Sequence, residues 1–228
     1  MMKKVLKWLL ILFLLAVGAL VVLFLSRDAI ARRLVISNIR AQTGMVAEMG
    51  SFHFGLREPV VTIKNFKLHN PAGFGDTPFL VIPEIHVEYD KLALTQNKIH
   101  LTLVRFNLGE LDIVKNEAGK TNLLELGVRM PSREEINQVK KGGGLAELKK
   151  RGYDFAGVDE LTVSIGTAKF IDLKNPANNR EQKIGIEKQT VKNVKSRADL
   201  AGLGLLFTLR SDNFFTDIFG GDVWQGLK

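Results

Sequence analysis

The chain has no cysteine among its 228 residues, which excludes a disulfide, a cysteine-bearing zinc site and a thiol nucleophile. Other signatures of chemistry are missing too: there is no H-E-x-x-H, no G-x-S-x-G and no glycine-rich dinucleotide fingerprint. Gly119-Lys120-Thr121 ends as a phosphate-binding loop does, but position 114 is Val114 where G-x-x-x-x-G-K-[ST] requires glycine. That tripeptide reads as a turn between strands. His86 and His100 fall on expected polar strand faces and read as ordinary surface histidines. The pairs Glu88/Asp90 and Glu110/Asp112 follow strand alternation and need no catalytic role. The sequence therefore predicts no enzyme, no cofactor and no metal.

A basic surface is also largely lacking outside one region. The net charge is +8, but residues 1–33 hold six Lys/Arg and one Asp, leaving +3 for the remaining 195 residues. The excess sits around an apolar run rather than on a nucleic-acid footprint, so no nucleic-acid partner is expected.

What is present is a long hydrophobic stretch. Residues 5–25 form a 21-residue apolar run in which Lys7 is the one charge and 8–25 carry none. At a helical rise of about 1.5 Å per residue they extend about 32 Å, the thickness of a bilayer core. Lys3, Lys4 and Lys7 stand near its start, and Arg27, Arg32 and Arg33 follow. A cleaved signal peptide has a shorter apolar core and a small-residue cleavage site. The only A-x-A here, Ala29-Ile30-Ala31, lies beyond Arg27 and Asp28. The run is thus read as an uncleaved single-span anchor over 1–25. Charge on both flanks leaves orientation open; N-in is the expectation, because everything that could fold follows the span.

Residues 26–44 read as a basic amphipathic helix ending at Gly44, with Ile30, Leu34, Ile36 and Ile39 near one side. Such a helix suits either the lipid interface or the closure of one end of the following domain.

Residues 45–128 read as antiparallel strands. Val61 and Ile63 share a face, as do Phe66 and Leu68, and the phase slips between the two pairs, predicting a bulge or bend at Lys64-Asn65. Ile85, Val87 and Tyr89 share a face opposite His86 and Glu88. Ile99, Leu101 and Leu103 are expected opposite His100, Thr102 and Val104, and Leu111 and Ile113 alternate with Glu110 and Asp112. No helical segment separates these strands, so a meander is predicted.

A helical insertion is expected over 129–152, with Ser132 and Glu135 as its capping box and Gly142-Gly143-Gly144 as an interruption. Strands return over 153–195, at about 158–165 (Leu161, Val163 and Ile165 on one face), 169–173 and 183–194. Leu68-His69-Asn70-Pro71-Ala72 and Leu173-Lys174-Asn175-Pro176-Ala177 share L-x-N-P-A, an internal repeat that closes a strand in both places. The tail, 196–228, is apolar and amphipathic and is expected to pack across the open end of the sheet, with a membrane or partner contact as the alternatives. The expected fold class is α+β, mainly β: a transmembrane helix, then a curved, largely antiparallel sheet.

The order of these features resembles the N-terminal region of the AsmA-like family of bacterial envelope proteins, over about residues 1–126. The resemblance rests on the span, the helix ending in Thr43-Gly44, Pro59, and the strand from Val61 to Leu68. It continues through Asn70-Pro71-Ala72-Gly73-Phe74, Ile85 to Asp90, Ile99 to Leu103, and Val114-Lys115-Asn116-Glu117 leading to Thr121-Asn122-Leu123. It implies an inner-membrane anchor holding a periplasmic, β-rich domain whose concave face is apolar. Larger relatives are thought to conduct phospholipid between the two membranes and support outer-membrane assembly. The residues expected to line an acyl-chain surface are Val61, Ile63, Ile85, Val87, Tyr89, Ile99, Leu101, Leu103, Leu111, Ile113, Leu161, Val163 and Ile165. About nine strands at about 4.8 Å spacing would make a groove of about 45 Å. That is too short to bridge an envelope alone, so the expected partners are the bilayer, phospholipid, and either further copies of the chain or another envelope bridge protein. A tethered scaffold with a closed core is the alternative.

Overall fold

The computed structural model describes residues 28–41, 44–55, 57–125, 149–212 and 214–219. The expected span (1–25), most of the expected helical insertion (126–148) and the end of the tail lie outside these residues. Among the described residues no helix is long and apolar enough to cross a membrane.

Helix α1 (28–41) leads to strand β1 (Ala47–Phe54), and β2 (Val60–His69), β3 (Pro78–Tyr89) and β4 (Lys98–Lys115) follow it. A short helix α2 (Lys91–Thr95) joins β3 to β4, and α3 (Asn122–Glu125) follows β4. Then come β5 (Asp154–Asp172), β6 (Arg180–Val194) and two helices, α4 (Ala201–Ser211) and α5 (Phe214–Phe219). The strands form one sheet in sequence order. All neighbours are antiparallel except β4 and β5, which run parallel. The mainly-β expectation therefore holds, and the meander is confined to β1–β4.

The sheet has six strands, not nine. The expected breaks within β4 and β5 are places where the apolar alternation slips while the backbone runs on. The same slip occurs in five strands: Met49 to Phe52, Ile63 to Phe66, Ile82 to Ile85, Leu108 to Leu111 and Ile165 to Ala168 all belong to the apolar clusters. Each pair is three residues apart, where a flat strand would repeat in two. Pairing stays in register across the slip from β1 to β5, with Phe52↔Ile63↔Ile85↔Phe106 on one side and Met49↔Phe66↔Ile82 on the other. It is thus a shared crease rather than a bulge in one strand.

The residues in the crease account for it. Asn65 takes φ 52°, a left-handed conformation that asparagine tolerates. A Cβ on Gly109 would lie 3.1 Å from the Pro83 ring, and one on Gly166 would meet the Gly109 carbonyl oxygen at 2.3 Å. Only glycine permits that approach.

Two cores lie on the same face, since Leu80 of one pairs directly with Leu111 of the other. Val35, Ile36 and Ile39 of α1 pack on Ala47, Met49, Phe66 and Ile82. Leu203, Leu206 and Phe207 of α4, with Phe214 and Ile218 of α5, pack on Ile113, Ala168, Ile184 and Ile186. The expected juxtamembrane helix therefore does close one flank of the sheet, and the tail closes the other.

Candidate functional site

Residues paired directly across strands share a face, and the pairings define two contrasting rows. Phe54, Val61, Val87, Val104, Leu161 and Val191 form an apolar row through all six strands. His53, Thr62, His86, Arg105, Thr162 and Thr190, each one position away, form a polar row on the other face. No member of the apolar row is fully buried; Phe54 keeps 37% of its surface exposed. The cores under α1 and α4–α5 are sealed by comparison, with Ile113 at 0%.

This half-open row lies toward one end of the sheet, the end at which α1 begins. Asp28 marks that start: its carboxylate accepts from the Phe54 N–H at 3.3 Å and pairs with His53 Nδ1 at 3.1 Å. The Arg32 guanidinium donates to the Gly50 carbonyl at 3.1 Å. These contacts satisfy part of the free edge of β1. At the same end, Lys91 Nζ donates to the Arg57 carbonyl at 2.8 Å, and the Asp154 N–H donates to the Asn97 carbonyl at 2.9 Å.

Thirteen residues were expected on the acyl-chain surface, and the structure sorts them. Val61, Val87 and Leu161 stand in the half-open row, and Ile63, Ile85 and Val163 in the row beside it, Val163 already buried. Tyr89 pairs with Leu101, and Ile99 with Phe155, toward the same end. Leu111 and Ile165 pack against the core beneath α4 and α5, and Ile113 is wholly enclosed in it. Leu103 pairs with Glu88 and Glu160, which puts it among polar partners, away from the apolar row. Its neighbour Val104, expected on the polar side, holds the apolar position instead. The cause is a register shift near the start of β4, at Ile99/His100 and Glu88/Tyr89, which reverses the phase read from Ile99 onward. Val104 and Phe106 were missed for this reason.

The polar groups are mutually engaged. Thr62 Oγ1 and His86 Nδ1 are 2.8 Å apart, and His86 Nε2 lies 3.0 Å from Glu88. His100 sits between Asp159 (2.9 Å) and Asp90 (3.6 Å). The hydrogen bond that His100 donates to the Asp159 carboxylate raises the His100 pKa above its ordinary value. Asp90 is held low by the Ala93 and Leu92 N–H groups that it caps at the start of α2. A cleft of about 430 Å³ lined by His53, Glu58, Thr62, His86 and Glu88 opens beside the polar row. Among the described residues no group of three or more His, Asp or Glu is placed to hold a metal.

At the far end, β2 and β4 finish just before an asparagine, Asn70 and Asn116, and Asn175 lies three residues past the end of β5. Asn122, fully buried, accepts from the Val114 N–H and donates to the Asp112 carbonyl and to Asn70 Oδ1, tying β4 to the β2–β3 turn. Asp112 is 1% exposed and its Oδ1 has no hydrogen-bond partner among the described residues. Burial, with the Glu110 carboxylate nearby, pushes its pKa up to about 6. Lys169 bonds Glu110 at 2.7 Å. A second cleft, about 330 Å³, opens here between Lys115, Thr121, Asp172 and Arg180. Gly119-Lys120-Thr121 is a turn, with Gly119 at φ 81°, but it leads from β4 into the short helix α3 where a turn between strands was expected.

No known protein family, curated protein or solved structure matches the chain.

Proposed function

We propose that the chain is a bacterial inner-membrane-anchored lipid-binding or lipid-transfer module, N-in, with its sheet in the periplasm and a part in envelope assembly. The reading is one of binding without catalysis. It is supported first by the half-open apolar row of Phe54, Val61, Val87, Val104, Leu161 and Val191, beside the start of α1, which follows the 5–25 run by three residues in the sequence. Four strands from β2 to β5 span about 14 Å at their ordinary spacing, wider than two hydrocarbon tails side by side. An exposed apolar patch of that kind marks a binding surface. The ordered likeness to the AsmA-like family points the same way. With six strands the sheet is about 24 Å wide, so transfer across an envelope would need further copies or another bridge protein.

The test is native mass spectrometry of the full chain released from nanodiscs. Phospholipid should accompany the wild-type chain, and Val104→Glu should reduce the lipid-bound fraction at least several-fold while the fold persists by circular dichroism. A lipid-free wild type would leave the second reading, a tethered scaffold. That reading is favoured by the far half of the same face, which α1, α4 and α5 close with the protein's own side chains.

A further inference from the structure

The geometry points to a second membrane contact: the near end of the sheet, through α2 and the turn before β5, rests on an anionic bilayer surface. This deepens the reading of the chain as membrane-anchored and rests on it.

Helix α2 has no buried residue, and Leu92 and Leu94 keep 68% and 42% of their surface exposed. A five-residue connection needs no leucine to turn a corner, and two exposed leucines on one short helix gain nothing in water. Lys91 and Lys98 flank them, and Lys98 pairs with Asp154, the first residue of β5. That pairing brings the turn before β5 alongside, with Lys149, Lys150 and Arg151 all exposed. Three carboxylates of the same end are engaged by the protein itself, Asp90 by the α2 backbone, Asp159 by His100, and Asp199 by the Lys195 and Ser196 N–H groups, while Asp154 is exposed beside Lys98. Leucines that project between basic side chains match a headgroup layer, with apolar tips entering the acyl boundary and ammonium groups on the phosphates.

What selects a bilayer over other occupants is where the chain attaches. Helix α1 begins at this same end, fixed there by Asp28 on Phe54 and His53. The apolar run, uncharged from Trp8 onward, ends three positions earlier, at Leu25. Whatever holds that run holds this end of the sheet close to it. Lys91, through the Arg57 carbonyl, ties α2 to the β1–β2 connection beside that entry point.

The absence of cysteine makes the test direct, because Leu92→Cys gives a single site for an environment-sensitive fluorophore. Lys98→Cys serves as a second reporter at this end and Lys120→Cys as the far-end control. Each full-length variant is reconstituted into phosphatidylglycerol or phosphatidylcholine vesicles containing a doxyl-lipid quencher. In phosphatidylglycerol, labels at 92 and 98 should shift to the blue and be quenched several-fold more than the label at 120. In phosphatidylcholine, or after Lys149→Glu with Lys150→Glu, that excess should fall away. Vesicles that retain the chain through an alkaline wash but quench 92, 98 and 120 alike would overturn the second contact and leave the anchor standing. A chain that fails to float with the vesicles would overturn both.

Discussion

At the residue scale, two titrating groups both make stability fall as pH rises, for different reasons. Asp112 is an acid whose folded pKa, about 6, lies above its ordinary value. The folded state therefore binds a proton that the unfolded state has released, and stability falls as pH rises from about 4 to about 6. A shift of this size corresponds to about 3 kcal/mol between the two protonation states. Asp112→Asn should raise the denaturation midpoint at pH 8 and leave it nearly unchanged at pH 4. His100 acts in the same direction, by losing a favourable interaction rather than by gaining a buried charge. Its folded pKa is raised by Asp159, so its contribution is complete below the ordinary histidine value and is lost as pH rises through the folded one. A proton NMR titration should place its midpoint above 6.5, and Asp159→Asn should lower it. Neither group was legible in the sequence as more than an alternating polar position. Asp112 becomes special only when the β2–β3 turn folds over it, and that turn lies some forty residues away in the chain.

At the scale of elements, the crease governs both the architecture and what could be read in advance. The slip between Ile63 and Phe66 was visible because both flanking pairs are aliphatic or aromatic and the intervening Lys64-Asn65 is polar. In β4 and β5 the same slip at Gly109-Glu110 and Gly166-Thr167 reads as the end of one strand and the start of another. Alternation alone cannot tell a crease from a gap; the deciding contact, Gly166 against the Gly109 carbonyl, is made across strands. Gly166→Ala should therefore destabilise the chain by about 1–3 kcal/mol, as overpacking does, although the residue lies in mid-strand where alanine is ordinarily an improvement. Chemical denaturation of the detergent-solubilised chain would measure it. For α1, Ile39→Ala should cost about 1–3 kcal/mol, because Ile39 packs on the Met49–Phe66 core rather than facing solvent. The amphipathic pattern correctly marked this residue, while Ile30 and Leu34 from the same stripe remain exposed.

At the scale of the whole molecule, one sheet face is divided into a closed half and a half-open half, and the proposed activity depends on that division. Val104→Glu places a charge in the half-open part and should spare the fold. Phe207→Ala removes a side chain packed beneath α4 and should lower stability by about 2–4 kcal/mol without first lowering the lipid-bound fraction. The reverse pattern would mean that the two halves have been assigned the wrong roles. The face itself was legible because apolar residues recur with period two. Which end of it stays open was not, because that depends on where α1 and α4 lie down.

The parallel seam between β4 and β5 has a consequence for how such a molecule comes together. β1 to β4 can zip up from neighbour to neighbour, and β5 with β6 can close as a hairpin, each from contacts local in sequence. The seam alone joins partners nearly sixty positions apart, Val104 to Leu161 for example, so its formation carries the largest loop-closure cost. A chain emerging during synthesis would hold its first four strands assembled, with one long β edge waiting, until the last third arrived to cover it.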